Sequence, residues 1–202
     1  MVKLENITQS DYNDIAKLTS LHNVMKYIGN GKTYSSKKVK QFIKYCEIEN
    51  KQSDKIRTNY YYKIVDNKKF IGIIGFHKMK SKNYYRTTYI HPKHQGKGYF
   101  TKSNLLLFNK IKKHKPHLKF IISMVHKNNK KMNIIQNKKG IYINTINYSG
   151  KLVNQYKINI PEYKKSKKSK KSKITNNKSK KIKRQSSKKK SYKQSSNKAK
   201  RY

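Results

Sequence analysis

The segment from Tyr89 to Thr101 carries the most chemistry in this chain. It reads as the end of a strand, a Gly-rich turn over Gln95-Gly96-Lys97-Gly98, and the start of a helix. Consecutive backbone N–H groups at such a joint converge on a phosphate, where the helix dipole is positive. Glycine permits this because, without a Cβ, the backbone adopts unusual dihedrals and approaches a ligand closely. The element predicts a protein that holds a phosphate-bearing ligand. Groups for proton transfer are scarcer. No Asp or Glu lies between Asp66 and Glu162. The pairs His91-x-x-His94 and His114-x-x-His117 lack a cysteine or carboxylate to complete a metal set, so no metal is expected. His77 and His91 remain as candidate bases. Cys46 shares helical spacing with Val39, Phe42 and Ile43 and is read as a packing residue.

Alternating periodicities give the elements that must position this turn. Lys3 to Ile7 reads as a first strand. Ser10 caps a helix with Ile15, Leu18 and Leu21 on its apolar stripe, and Ser35 or Ser36 caps a second over Val39, Phe42, Ile43 and Cys46. Tyr-rich and β-branched segments then predict strands over 59–65, 69–79 and 84–91 as an antiparallel meander. Gly72 and Gly75 mark a bulge or a close approach in the second of these. The helix after the Gly-rich turn runs to about Lys113, with Leu105, Phe108 and Ile111 on one face and Leu107 beside Ile111 on the next. A strand over 120–125, a helix over 130–138 closed by Gly140, and a hairpin of 141–146 with 151–158 complete the order β-α-α-β-β-β-α-β-α-β-β. The fold class is α+β, with a mixed, mostly antiparallel sheet of about seven strands and about four helices.

The chain of 202 residues carries a net charge of +44, from 52 Lys and Arg against 8 Asp and Glu. Residues 164–202 hold 19 of the bases and no acid. The first 163 keep 33 bases and all 8 acids, a charge of +25. A Lys/Ser-rich run with few apolar residues cannot offset chain entropy, so 162–202 is expected to be a disordered polycationic tail behind a domain of residues 1–161. Such charge attracts nucleic acid and other polyanions with steep salt dependence, without base-reading geometry. The 17 tyrosines fall mostly in strands and are read as ordinary half-buried strand residues. The single cysteine, the absence of an apolar signal segment, and a longest apolar stretch of only Phe70 to Phe76 predict an intracellular, cytoplasmic protein without a membrane span. A nuclear location is an alternative in a eukaryotic host.

The element order, with its Gly-rich turn after the fourth strand, resembles the GNAT N-acetyltransferase superfamily over roughly residues 1–160. Gln95-Gly96-Lys97-Gly98-Tyr99-Phe100 matches the family's acetyl-CoA motif at its first four positions. Asn129 followed by Gly140-Ile141 fits a second family spacing. The segment from Val24 to Gly29, leading to the Ser35 cap, resembles the branch that acetylates ribosomal-protein N-termini and related amines. The resemblance implies transfer of acetyl from acetyl-CoA to a primary amine: a protein N-terminus, a lysine or a small amine. It also implies that Gln95, Gly96, Lys97, Gly98, Tyr99, Phe100 and Thr101 form the cofactor site, the backbone N–H groups of Gly96 to Thr101 binding the pyrophosphate, with Lys93, Lys97 and Lys102 screening charge. Tyr89, Ile90 and Asn129 would then contact the pantetheine arm. Three positions depart from the pattern. Phe100 stands where the family has a small residue. The fourth strand offers Asn83, Tyr84 and Tyr85 where relatives place a carboxylate base, leaving a histidine such as His91, a water chain, or Glu47 or Glu49. Gln136 and Met132 occupy the positions of the usual acid, with Tyr142 nearby. The alternative function is a catalytically degenerate domain that binds nucleic acid or another polyanion.

Overall fold

The computed structural model describes residues 1–79 and 82–162, and the expected tail after Glu162 lies outside them. The strands are β1 (Val2–Asn6), β2 (Asn59–Asp66), β3 (Lys69–Lys78), β4 (Tyr84–Ile90), β5 (Phe120–His126), β6 (Ile141–Tyr148) and β7 (Lys151–Asn159). The helices are α1 (Tyr12–Thr19), α2 (His22–Met25), α3 (Ser36–Lys51), α4 (Tyr99–His114) and α5 (Lys130–Lys139). The predicted order holds. The fifth helix is the single turn α2, too short to show as a period.

The strands form one sheet in the order β1-β2-β3-β4-β5-β7-β6, antiparallel throughout except for β4 with β5. β3 is buried from Ile71 to Phe76 because helices cover both of its faces. On one face α4 sets Leu107 and Ile111 against Tyr60, Tyr62, Ile74, Phe76 and Tyr84. On the other, Ile15 and Leu18 of α1 and Val39, Ile43 and Cys46 of α3 pack on Ile73 and Tyr89. Burial pushes the Cys46 thiol up to about 12, so it packs as an inert apolar group. The expected cap of α3 is present, with Ser35 Oγ accepting from Lys38 N at 3.3 Å.

Three expectations change. Ser10 does not cap α1, whose N-cap is Asp11. The buried face of α4 is Ser103, Asn104, Leu107 and Ile111, while Leu105 is exposed. Gly140 closes α5 in an extended conformation (φ −139°), not a left-handed one. Its bare Cα is needed instead because a Cβ there would meet Ile158 Cδ1 at 2.4 Å and Lys157 O at 2.9 Å.

Candidate active site

β4 and β5 pair over only two rungs, Tyr85 with Ile122 and Arg86 with Ser123. Beyond them the strands part. Residues 87–90 stay paired with β3, and Met124 to His126 stay paired with β7. The facing edges are therefore left without each other, and an extended ligand can lie against such an edge as a further strand. A cavity of about 470 Å³ occupies this wedge. Thr87, Thr88, Tyr89, Met124, Val125 and His126 line it from the two strands. Phe100, Asn129 and Met132 line it from the helices.

The Gly-rich turn sits where β4 leads into α4. Gly96 (φ +76°) and Gly98 (φ +77°) are both left-handed, which costs an L side chain about 1–2 kcal/mol and a glycine little. Gly98 is also the N-cap of α4 and brings no side chain to cap it. Gln95 ties the turn to its strand, its Nε2 donating to Ile90 O at 2.9 Å. Among the described residues, the N–H groups of Gly96 to Thr101 find no acceptor, and the next, Lys102 N, donates to Gly98 O at 3.1 Å. Free donors at a helix N-terminus favour an anion. Lys139 of α5 reaches the same place, donating to Thr101 Oγ1 at 3.2 Å.

The cavity's other rim comes from the α2–α3 connection and the β6–β7 turn. Tyr27, Ile28, Gly29, Asn30 and Tyr34 line it on one side, and Tyr148 and Ser149 on the other. Lys151 Nζ donates to Lys26 O at 3.1 Å, joining the two sides, and the ring of Tyr27 lies 5.6 Å from that of His126 at the end of β5. His77 of β3 faces this space between the rings of Tyr61 (5.8 Å) and Tyr85 (6.4 Å). Its Nδ1 is buried with no hydrogen-bond partner. Burial pushes the imidazole down to about 4, so it is neutral at ordinary pH. No carboxylate lines the cavity.

The profile of the acetyltransferase (GNAT) domain matches residues 2–141. The chain belongs to the GNAT acetyltransferase family. Solved structures share its fold. The RimL ribosomal L7/L12 α-N-protein acetyltransferase in complex with coenzyme A is 13% identical, with a TM-score of 0.65 over 79% of this chain and 94% of that one. The spermidine N-acetyltransferase of Vibrio cholerae, in complex with CoA and spermine, is 17% identical, with a TM-score of 0.62 over 79% and 95%. The microcin C7 self-immunity acetyltransferase MccE, in complex with acetyl-CoA and AMP, is 17% identical, with a TM-score of 0.64 over 79% and 92%. A search of curated proteins finds no match.

Within this GNAT domain the structure brings Tyr89, Phe100 and Asn129 to the cavity, beside the turn formed by Gln95, Gly96, Lys97, Gly98, Tyr99 and Thr101. Asn129 caps α5, its Oδ1 accepting from Met132 N at 3.3 Å. Tyr99 turns away, its hydroxyl donating to Asp66 Oδ2 at 3.0 Å. Of the candidates for proton transfer, His77 lines the cavity, while Glu47, His91, Tyr142 and Glu49 do not. Glu47 of α3 accepts from Gln9 N at 3.0 Å, tying the helix to the segment after β1, and His91 accepts from Lys93 N at 3.3 Å within its own turn. Tyr142 is exposed on β6 and bonded to the Thr145 hydroxyl at 2.9 Å. Glu49 is buried and clamps the start of β2 through Asn59 N at 3.0 Å. At the acid positions, Met132 lines the cavity, while Gln136 is buried with its Nε2 on Met132 Sδ at 3.3 Å. Two groups that sequence reasoning left aside now matter. Lys139 is one. Arg86 is the other, since in a chain so rich in cations nothing but its fold position distinguishes it.

Proposed function

We propose that this chain transfers acetyl from acetyl-CoA to a primary amine, by direct attack inside the β4–β5 wedge. The observation that carries the reading is the opening of the β4–β5 seam into one cavity at the uncapped N-terminus of α4. The residues present fit the cosubstrate. The N–H groups of Gly96 to Thr101 would hold its pyrophosphate, with Lys93, Lys97, Lys102 and Lys139 screening the charge. The free edge at Tyr89 and Ile90, with Asn129 opposite, would hold the pantetheine arm. Acetyl-CoA supplies the activated acyl group as a thioester.

His77 is the proton acceptor in this reading. An amine nitrogen that has attacked a carbonyl becomes acidic, so a weak neutral base within reach is sufficient. The acceptor enters between the α2–α3 connection and the β6–β7 turn. Six tyrosines and Lys38 line the cavity, and no carboxylate does. That lining suits a neutral or acidic peptide N-terminus and repels a polyamine.

Calorimetry of the full chain with CoA and acetyl-CoA, joined to a thiol-release assay over peptide and polyamine acceptors, tests this. Saturable CoA binding, lost in Gly98→Glu, and acetyl transfer to a neutral or acidic peptide are expected. A folded chain that ignores CoA at millimolar concentration overturns the reading.

A further inference from the structure

Arg86 occupies the last rung before β4 and β5 part, and it lines the cavity. Its NH1 donates to Asn104 Oδ1 at 2.8 Å and its NH2 to Ser123 Oγ at 2.9 Å. Its Cζ stands 5.0 Å from the Phe100 ring centroid. A guanidinium has five N–H donors, and both of these acceptors are neutral. No ion pair to it forms among the described residues. Burial pushes it down to about 10, a desolvation cost with no carboxylate to offset it. An apolar side chain would fill the same space between α4 and the sheet at less cost. A half-buried cation held by neutral groups and open to a cavity is arranged for an anion that arrives from outside.

The position selects the anion. Ile90 adjoins the Gly-rich turn, and Arg86 lies four residues back along β4, roughly 13 Å at strand rise. The phosphates belong to the turn. A chain lying along β4 from that turn reaches the seam's closed end with its far terminus, which in CoA is the sulfur. The usual proton donor for that sulfur is missing, since Met132 and Gln136 hold no acidic proton.

We propose that Arg86 is the counter-ion of the departing CoA thiolate, stabilising the sulfur as an anion where Met132 and Gln136 offer it no proton. The inference rests on the acetyltransferase reading above. In the step, the amine lone pair forms the C–N bond, and the C–S bond breaks with its electron pair on sulfur. The amine's proton passes to His77 and the sulfur leaves as thiolate beside the guanidinium. Solvent later takes the proton from His77 and returns one to the released CoA. Phe100 thereby gains a use, since the guanidinium lies over its ring, 5.0 Å from the centroid.

The test is the thiol titration of CoA bound to full-length protein, followed by the ultraviolet absorbance of the thiolate. Wild type, Arg86→Met and Arg86→Lys are compared, with desulfo-CoA affinity measured alongside. His77, His126, Lys38 and six tyrosines share the cavity, and they are common to all three proteins. Wild type is expected to lower the thiol pKa of bound CoA by about one to three units relative to free CoA. Arg86→Lys should keep part of that shift and Arg86→Met should lose it, with desulfo-CoA bound equally by all. Equal thiol titration in wild type and Arg86→Met overturns the role of Arg86 and leaves the acetyltransferase reading intact. If Arg86→Met does not fold, wild type alone decides, and an unshifted thiol overturns the proposal. A preference for succinyl-CoA over acetyl-CoA that vanishes in Arg86→Met, with the thiol unmoved, assigns the guanidinium to the acyl group and also overturns it. Failure of desulfo-CoA to bind wild type removes both readings together.

Discussion

His77 is half-buried between two tyrosines, with its Nδ1 buried and unpartnered, so protonating it places a charge where no group receives it. Two outcomes follow at this residue. Replacing it by Gln keeps a polar side chain of similar size but removes the proton acceptor. In His77→Gln, kcat should fall by about a hundredfold, within the ordinary range for a general base. CoA affinity should not change, because His77 stands apart from the Gly-rich turn. Single-turnover acetyl transfer, with calorimetry, separates the two effects, and a shared loss would remove His77 from the chemistry. The second outcome concerns stability. An unfolded histidine titrates near 6.5, and here the folded group is held down to about 4 by burial. Between those values the unfolded chain binds more protons, so acid shifts the balance toward unfolding. Wild type should lose denaturant resistance as pH falls from about 6.5 to about 4, and His77→Gln should lose less over that window. Parallel curves would mean the imidazole is not desolvated in solution.

At the level of elements, the rim of the wedge depends on how closely β3 and β4 approach. Gly72 faces Ile90 in the register, next to Ile71, the extra residue where β3 slips against β2. A Cβ on Gly72 would lie 2.0 Å from Tyr89 O, a backbone atom that cannot swing aside. Gly72→Ala should therefore cost about 1–3 kcal/mol and displace the edge offered to the pantetheine arm, weakening CoA binding as well. Gly96→Ala offers the contrast. A Cβ there meets nothing within 4 Å, and only the left-handed backbone opposes it. It should cost about 1 kcal/mol or slightly more and alter CoA binding through the turn alone. Urea denaturation and calorimetry on both variants check the pair, and equal small losses would contradict the close approach. The same elements show what was legible in the chain. Strands and helices came from local periods, and the turn from its own glycines, so both stood within a few residues of their observed bounds. The cavity did not, because it joins Tyr27, His77 and Tyr148, which lie far apart in sequence and meet only through the sheet order. His91 and His77 looked alike until β3 placed one against the wedge and a turn occupied the other. The faces of α4 blurred because Leu105 and Leu107 satisfy neighbouring stripes equally, and only the packing of α4 on β3 decides between them.

Across the whole molecule, charge sets a tension between stability and binding. The first 163 residues carry 33 bases against 8 acids. Four of the eight acids are already paired: Asp11 and Glu5 with Lys63, Asp66 with the N-terminus, and Asp54 with His114. The bases far outnumber the acids that could pair with them, so self-repulsion opposes the compact state. Added salt screens that repulsion, with a Debye length near 10 Å at about 0.1 M and near 3 Å at about 1 M. The thermal midpoint should rise with salt across that range. Binding should move the other way, because the same field attracts CoA phosphates, acidic acceptor peptides and nucleic acid. Retention of the full chain on DNA or RNA should fall steeply with salt, and deleting residues 164–202, which removes 19 of the 52 bases, should flatten that dependence. In acetyl-transfer assays, kcat/KM for an acidic peptide should exceed that for a basic peptide of equal length at low salt. The ratio should shrink toward one as salt rises, while the protein itself grows more stable. A midpoint that falls with salt would show that screening weakens more attraction than repulsion in the folded chain. A peptide preference that persists at about 1 M salt would place the discrimination in contacts within the cavity and not in the field of the molecule.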